Sequence, residues 1–337
     1  MKVRTRYAPS PTGFMHIGNL RTAIFEYLLA KKYNGDFILR IEDTDQEREV
    51  EGAIDFIYNT LDLCGFKIDE GPNNEGNFGP YIQSKRKDIY KEYALKLVEM
   101  GKAYYCFCSE EELTKMREKA DARKKPFLYD GRCSRLSKEK IEENLKNNVP
   151  YVIRQKMPKE GVTIVEDLIY GKVKIDNSIL DDQILLKSDG FPTYNFANVI
   201  DDHLMEITHV IRGKEYLDQT AKYNLLYEAF GWEKPTYIHV AMVLGEDENK
   251  LSKRNGDASF MDLYNEGYLP EAIVNYLSLL GWSPETNQEV FSMEELISNF
   301  NEERISKSSS QYDVKKLKWF NHQYINKMDD EKYLSWI

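Results

Sequence analysis

Two prolines and a glycine stand within five residues, between the first strand pattern of the chain and its first helix pattern. The β-formers of residues 3–7 predict a strand, and residues 9–13 exclude both a helix and a sheet ladder at that point. An apolar helical repeat follows over residues 20–28, with Arg21 and Glu26 expected off its apolar face. A strand that turns sharply into a helix presents free N–H groups and a positive dipole end, which together suit a phosphate.

His16, Gly18 and Asn19 lie at the mouth of this turn. A histidine there can donate hydrogen bonds to phosphate oxygens, and the glycine lets a nucleotide approach the backbone. The same residues are compatible with an ordinary connection between a strand and a helix. These residues alone do not distinguish a nucleotide site from an ordinary connection.

Strand and helix patterns alternate from residue 3 to 100 and again from 191 to 249. This alternation predicts an α/β fold with a doubly wound parallel sheet of the Rossmann type. Residues 101–190 instead combine a charged helix with short strands, and they predict an α+β insertion into the sheet domain. Residues 250–326 have a mainly helical pattern.

Composition excludes several classes of protein. The chain has 337 residues and a net charge of −10, so a uniformly basic surface that binds nucleic acid is not expected. Its four cysteines are too few for a secreted scaffold held together by disulfides. A local basic surface remains compatible with this charge. No apolar run approaches the about 18 residues of a membrane helix, and the first ten residues lack the core of a signal peptide. We therefore expect a cytoplasmic protein without a membrane span.

Charged residues follow two of the predicted strands. Glu42 ends the second strand pattern, and Arg212 and Glu215 follow a later one. Ligands bind at the carboxyl ends of strands in open α/β sheets, so an acid there could hold an ammonium group. Capping of the next helix is the alternative for such acids. Asp201 and Asp202 are interpreted as turn or cap residues rather than as metal ligands.

Three of the four cysteines lie in the predicted insertion. Cys106, Cys108 and Cys133 could bind zinc, with Tyr129 as the best candidate for a fourth ligand. A small core of three reduced cysteines explains the same pattern. Cys64 lies on the apolar face of a predicted helix and is expected in the core.

A basic loop is predicted near residue 250. Lys250, Ser252 and Lys253 lie in the sequence KLSKR, where three cations and a hydroxyl suit the neutralisation of a polyphosphate. A solvated basic loop explains this segment equally well when it is taken by itself.

Four motifs occur in one order along the chain: RYAPSPTGFMHIGN, RIEDTD, FPTYNFANVIDDHLMEITHVIRGKEYL and KLSKR. The chain thereby resembles the class I aminoacyl-tRNA synthetases, and closely the bacterial-type glutamyl-tRNA synthetases. HIGN is similar to the class signature HIGH, and KLSKR is similar to KMSKS. PSPTG favours glutamate, because glutaminyl members usually carry Pro-Asn-Gly before HIGH. The resemblance covers essentially the whole chain, down to YDVKKLKWFNHQYI.

The resemblance implies a glutamate–tRNA ligase that uses ATP with Mg²⁺. L-glutamate would attack the α-phosphate of ATP, and the glutamyl group would then pass to the terminal adenosine of tRNA(Glu). Asn19 replaces the second histidine of HIGH, so the contribution of Asn19 to catalysis is an open question. The implied catalytic residues are His16, Asn19, Lys250 and Lys253, and the implied ATP-binding residues are His16, Gly18, Glu215, Val243, Lys250, Ser252 and Lys253.

The resemblance also implies a pocket for a dianionic amino acid. Arg212 is expected to recognise the side-chain carboxylate, and Glu42 to hold the ammonium group. Glutamine would leave the guanidinium unpaired, so it would be rejected. The implied glutamate-binding residues are Arg6, Ala8, Ser10, Glu42, Tyr194, Asn198 and Arg212.

The remaining regions acquire roles by the same resemblance. Residues 101–190 would bind the acceptor end of the tRNA, residues 250–326 would contact its stem, and residues 327–337 would begin an anticodon-binding domain. The chain is therefore expected to be an N-terminal portion of such an enzyme, and a monomer. Arg135 occupies the place of a histidine ligand found in some relatives, which leaves a zinc site of three cysteines and Tyr129, or no metal.

Three alternatives remain open from the sequence. One is a paralogue that activates glutamate without tRNA and attaches it to queuosine in a tRNA. Another is a small-molecule nucleotidyltransferase, which does not explain the insertion or the glutamate-type pocket. The last is a tRNA-binding module without catalysis, against which His16, Lys250 and Lys253 argue.

Overall fold

The structure is a computed structural model that describes residues 2–11, 15–45, 48, 50–245, 251 and 259–336. The strands are β1 (Arg4–Tyr7), β2 (Asp36–Leu39), β3 (Ala103–Cys106), β4 (Val152–Gln155), β5 (Val162–Asp167), β6 (Gly171–Asp176), β7 (Ile184–Leu186), β8 (His209–Gly213), β9 (Thr236–Val240), β10 (Val243–Leu244) and β11 (Ser310–Gln311). The helices are α1 (Ile17–Lys32), α2 (Ala53–Leu63), α3 (Lys87–Glu99), α4 (Glu110–Ala122), α5 (Lys138–Lys146), α6 (Tyr194–Leu204), α7 (Thr220–Phe230), α8 (Phe260–Asn265), α9 (Pro270–Ser278), α10 (Met293–Asn299), α11 (Val314–Ile325) and α12 (Asp330–Trp336).

A parallel sheet forms the centre of the molecule. β1 pairs with β2, and β8 pairs with β9, both in parallel register. Thr208 donates its N–H to the Arg4 carbonyl at 3.0 Å, which places β8 beside β1. The strand order is therefore β2–β1–β8–β9, and the carboxyl ends of all four strands meet at one edge. The predicted α/β fold with a parallel sheet is confirmed.

The segment predicted as an insertion contributes to two sheets. β3, β4 and β7 form an antiparallel sheet of their own. The antiparallel hairpin of β5 and β6 instead meets the edge of the central sheet, where Asp167 is paired in parallel with Tyr237. The domain boundaries at residues 101 and 190 stay a prediction.

Helix α1 is buried along both of its sides. It packs on β1 and β2 on one side and on α9 and α10 on the other. Arg21 and Glu26 are only 3% and 1% exposed, so the prediction that they lie off the buried face is wrong. A helix enclosed on two sides leaves little solvent-exposed surface for charged residues in its middle turns.

The C-terminal helices share this core. One continuous apolar cluster extends from Tyr7 on β1 to Phe320 on α11. Helix α9 begins with Pro270 at a first-turn position, where the missing N–H is tolerated. Helix α11 begins at Asp313, whose side chain accepts the N–H groups of Lys315 and Lys316. Among the described helices, none combines the length and the apolar character needed to cross a membrane.

Candidate active site

A cleft of about 740 Å³ opens at the carboxyl ends of the parallel strands. Its walls bring together residues from Arg6 to Leu251, which lie 245 positions apart in the sequence, and they include parts of β1, the start of α1, β8 and β10. The predicted site residues that line it are Arg6, Ala8, Ser10, His16, Gly18, Asn19, Glu42, Tyr194, Arg212, Glu215 and Val243. Asn198 is not among the described residues that line the cleft, and Lys250, Ser252 and Lys253 lie outside the described residues.

The start of α1 forms one wall of the cleft. His16 takes the N-cap position with extended backbone, and no acid occurs among the first-turn residues 17–20. The positive end of the helix dipole is therefore not offset by a neighbouring carboxylate within that turn. A Cβ added at Gly18 would meet none of the described atoms within 4 Å, so a ligand can approach the backbone there. This arrangement suits the phosphates of a nucleotide.

Arg212 provides a buried cation at the end of β8. Its side chain packs beside Tyr216 and Tyr223, whose ring centroids lie 5.4 and 5.0 Å from the guanidinium carbon. The Nε and Nη1 atoms are buried and have no hydrogen-bond partner within the described part of the chain. A guanidinium stays charged at all physiological pH values. Two of its donors are therefore available to an anionic ligand in the cleft.

Glu42 provides the complementary anion. Its Oε1 atom accepts a hydrogen bond from Arg40 Nη2 at 2.9 Å. Its Oε2 atom is buried and has no partner among the described residues. Burial raises the pKa of Glu42, and the charge of Arg40 opposes that rise. A ligand with an ammonium group can supply the missing donor.

Arg6 lines the cleft, but its guanidinium group is already paired with two buried acidic side chains. Its Nε atom lies 2.9 Å from Asp202 Oδ1, and its Nη1 atom lies 3.2 Å from Glu26 Oε1. The interpretation of Asp201 and Asp202 as turn or cap residues is wrong, because both lie within α6 and both are buried. Asp202 instead pairs with Arg6 and Arg40, and Asp201 pairs with Arg86, in a buried network that also includes Glu26 and Glu42.

Sequence reasoning missed several residues that line the cleft, among them Arg21, Glu26 and Tyr216. Glu26 had a recognisable signal, since it is the one charged residue within the otherwise apolar segment 23–30. Arg21 donates hydrogen bonds to the Leu280 carbonyl at 3.0 Å and to the Ala241 carbonyl. Those acceptors are far away in the sequence, so no local pattern could indicate them.

Asn198 lies on α6 behind the cleft wall. Its Nδ2 atom donates to the Tyr194 carbonyl at 2.8 Å, which is the preceding turn of the same helix. Its Oδ1 atom is buried and has no partner among the described residues. A direct contact between Asn198 and a ligand stays a prediction.

The cysteine cluster forms a second candidate site, in the predicted insertion. The sulfur atoms of Cys106, Cys108 and Cys133 lie within 4.8 Å of one another. Tyr129 Oη lies 3.4 Å from Cys106 Sγ and 3.2 Å from Cys108 Sγ. Hydrogen bonding between the two thiols lowers the pKa of Cys106 and raises the pKa of Cys133, which favours a single thiolate at Cys106. Three sulfurs and a phenol oxygen grouped in this way fit a tetrahedral zinc ion.

Comparison with known proteins gives consistent matches over nearly the whole chain. Residues 2–319 match the family model of the class I tRNA synthetases (E and Q), catalytic domain. The glutamate–tRNA ligase of Clostridium novyi (strain NT) is 61% identical over 332 residues, which are 98% of this chain and 67% of that protein. The corresponding enzyme of Clostridium tetani (strain Massachusetts / E88) is 59% identical over 98% of this chain and 68% of that protein.

Solved structures agree with these sequence matches. The glutamate-tRNA synthetase of Elizabethkingia anophelis superposes with a TM-score of 0.94 at 42% identity, covering 99% of this chain and 73% of that one. The glutamate tRNA ligase of Elizabethkingia meningosepticum, solved in complex with its amino acid, also has a TM-score of 0.94 at 42% identity, covering 98% and 71%.

Proposed function

The chain belongs to the class I tRNA synthetases for glutamate and glutamine, and from this premise we propose that it is a glutamate–tRNA ligase. L-glutamate reacts with ATP to form glutamyl-adenylate, and diphosphate from ATP is released. The glutamyl group is then transferred to the 3′ end of tRNA(Glu), and AMP is released.

The observation that carries this proposal is the pattern of unsatisfied charge in the cleft. Glutamate has two carboxylates and one ammonium group. Arg212 offers two buried donors without partners, and Glu42 offers one buried acceptor without a partner, within the described residues. Buried polar groups are rarely left unpaired, so a ligand that satisfies both is expected. Glutamine would supply no charge for Arg212, which supports glutamate as the substrate.

The reaction is then mainly a matter of positioning. Arg212 and Glu42 fix the orientation of the amino acid, so that its α-carboxylate is directed at the α-phosphate of ATP. The N-terminus of α1, with His16 and Asn19, offers donors to the phosphate oxygens. We assign Lys250 and Lys253, which lie outside the described residues, to neutralising the diphosphate. Mg²⁺ would accompany ATP, held mainly by phosphate oxygens and water.

The location of the glutamyl group on the tRNA tests the proposal. We expect the protein, ATP and L-glutamate to acylate tRNA(Glu), and prior removal of the 3′-terminal adenosine from the tRNA to abolish the product. That adenosine carries the hydroxyl groups that would accept the glutamyl group. Acylation that survives its removal would instead place the glutamyl group on a modified base. Diphosphate exchange that prefers an acid other than glutamate, with tRNA(Glu) present, would contradict the amino-acid assignment.

His16→Ala is expected to lower kcat for glutamyl-adenylate formation by about 10²–10³-fold, because a donor to the transition-state phosphate is lost. The dissociation constant of glutamate should remain close to that of the unaltered protein, since His16 serves the ATP side of the cleft. Single-turnover kinetics measures the first quantity and calorimetry measures the second. His203→Ala is the matched control, because His203 stacks on Trp232 away from the cleft. A His16 variant that retains kcat would remove this residue from the catalytic set.

We also propose that Cys106, Cys108, Tyr129 and Cys133 hold a structural zinc ion, which would link β3 to the loop after α4. Elemental analysis of protein from a zinc-supplemented culture is expected to find about one zinc per chain. Cys133→Ser should lose the metal and lower the Tm, because a closed site needs all of its ligands. Cys64→Ser is the control: Cys64 is buried in the apolar core, outside the cluster, and should leave the zinc content unchanged. Metal-free wild-type protein would contradict the assignment.

A further inference from the structure

Asp202 is not among the described residues that line the cleft, yet it contacts Arg6, which lines the cleft, and Arg40, which contacts Glu42. Its Oδ1 atom accepts from Arg6 Nε at 2.9 Å and from Arg40 Nη1 at 2.8 Å. The Asp202 side chain is 3% exposed and the Arg40 side chain is 0% exposed. A single carboxylate oxygen therefore joins two arginines in a site from which water is largely excluded.

The two arginines serve different parts of the cleft. Arg6 comes from β1 and lines the cleft itself. Arg40 does not line it, but its Nη2 atom donates to Glu42 Oε1 at 2.9 Å. That bond occupies one Glu42 oxygen and leaves the other for a ligand. The placement of Glu42 thus depends on Arg40, and the placement of Arg40 depends on Asp202.

We propose that Asp202 is a positioning residue that sets the distance and orientation between Arg6 and Glu42, and thereby the affinity for glutamate. This inference rests on the proposed function of the same cleft. Without the Asp202 charge, the positive charges of Arg6 and Arg40 would be less well neutralised. The two guanidinium groups would then move apart, or they would draw Glu42 closer. Either change alters the glutamate site. The start of α1, which serves ATP, has no part in this contact.

The neighbouring Asp201 provides a matched control. It lies on the same helix and its side chain is 0% exposed. It binds Arg86 Nε at 2.8 Å, Gln83 Nε2 at 2.9 Å and Tyr90 Oη at 2.7 Å, all away from the cleft. Its nearest approach to Arg40 is 3.9 Å. Replacement of Asp201 therefore disturbs a buried ion pair of the same kind, while the hydrogen bonds that Arg6 and Arg40 donate to Asp202 remain.

The test compares Asp202→Asn with Asp201→Asn by calorimetric titration of L-glutamate and of ATP, together with the Tm of each variant. Both variants should have a lower Tm, because each weakens a buried ion pair. Asp202→Asn is expected to raise the Kd of glutamate by about tenfold or more, with the Kd of ATP within about twofold. Asp201→Asn should leave both constants within about twofold, since its partners lie outside the cleft.

Asp202→Glu is the second variant, because it keeps the charge and moves the carboxylate by one methylene. We expect it to raise the Kd of glutamate by about three- to tenfold and to leave the Kd of ATP unchanged. This variant decides the question if Asp202→Asn does not fold. If the Asp202 variants bind glutamate with the same Kd as Asp201→Asn, Asp202 has no positioning role. Failure of the unaltered protein to bind glutamate would overturn the proposed function itself, and this inference with it.

Discussion

Arg212→Ala is expected to lower kcat/KM for glutamate by about 30- to 4,000-fold, the equivalent of about 2–5 kcal/mol of transition-state binding. Arg212 is 6% exposed, and two of its donors have no partner among the described residues. Truncation would leave the ligand carboxylate buried between aromatic rings without a counter-charge. Steady-state kinetics with saturating ATP and tRNA(Glu) measures the loss.

Glutamine is the internal control for this prediction. Because glutamine has no side-chain charge, its slow activation should change little in Arg212→Ala, and the preference for glutamate should shrink. Arg212→Lys keeps a positive charge but not the planar fork, so we expect an intermediate loss for glutamate. Wild-type kcat/KM for glutamate in Arg212→Ala would show that another residue recognises the side chain.

Arg40→Met is expected to lower the free energy of unfolding by about 3–5 kcal/mol, because it leaves buried acids without their cation. Arg40 contacts Glu42 and Asp202 at 2.9 and 2.8 Å and is fully buried. The methionine fills much of the same volume, so the decrease in the free energy of unfolding comes mainly from the lost charge and only slightly from a cavity. Urea unfolding followed by tryptophan fluorescence measures it.

Arg132→Met is the control for the Arg40 variant. Arg132 also forms an ion pair, with Asp130 at 2.8 Å, but both side chains are 43% exposed. Solvent screens such a pair, so its removal should leave the urea midpoint nearly unchanged. Equal shifts of the midpoint in the two variants would contradict the argument that burial makes the Arg40 contacts important.

The parts of the site that sequence reasoning recovered are those determined by local pattern. The turn between β1 and α1 follows from its prolines and glycine, and the ends of β2 and β8 follow from apolar runs that stop at charged residues. The carboxyl ends of parallel strands necessarily meet at one edge. For this reason the predicted residues His16, Glu42 and Arg212 all line one cleft.

The buried ion pairs could not be recovered in this way. Asp202 lies 196 residues from Arg6 and 162 residues from Arg40 along the chain. Two successive aspartates favour turns and caps when only local propensity is considered, and tertiary contacts with the arginines override that preference. Glu26 is a similar case, because its buried side chain pairs with Arg6 on β1, which no local pattern indicates.

The cysteine cluster lies between these cases. The spacing of Cys106, Cys108 and Cys133, with Tyr129, was compatible with zinc or with a small reduced core. The fold places the four side chains together, which the metal site requires. The metal content of the purified protein is the measurement that separates a zinc site from a reduced core.

The core that extends from β1 to α11 has a consequence for synthesis of the protein on the ribosome. Helix α1 emerges early, but α9 and α10, which cover one of its sides, end at Ser278 and Asn299. Synthesis proceeds at about 5–20 residues per second, so the partners of α1 are complete only about 13–53 s after α1 itself. During that interval its apolar surface is open to chaperones and proteases. Ribosome-arrested chains of increasing length should therefore protect α1 from protease only after the residues of α10 have left the exit tunnel.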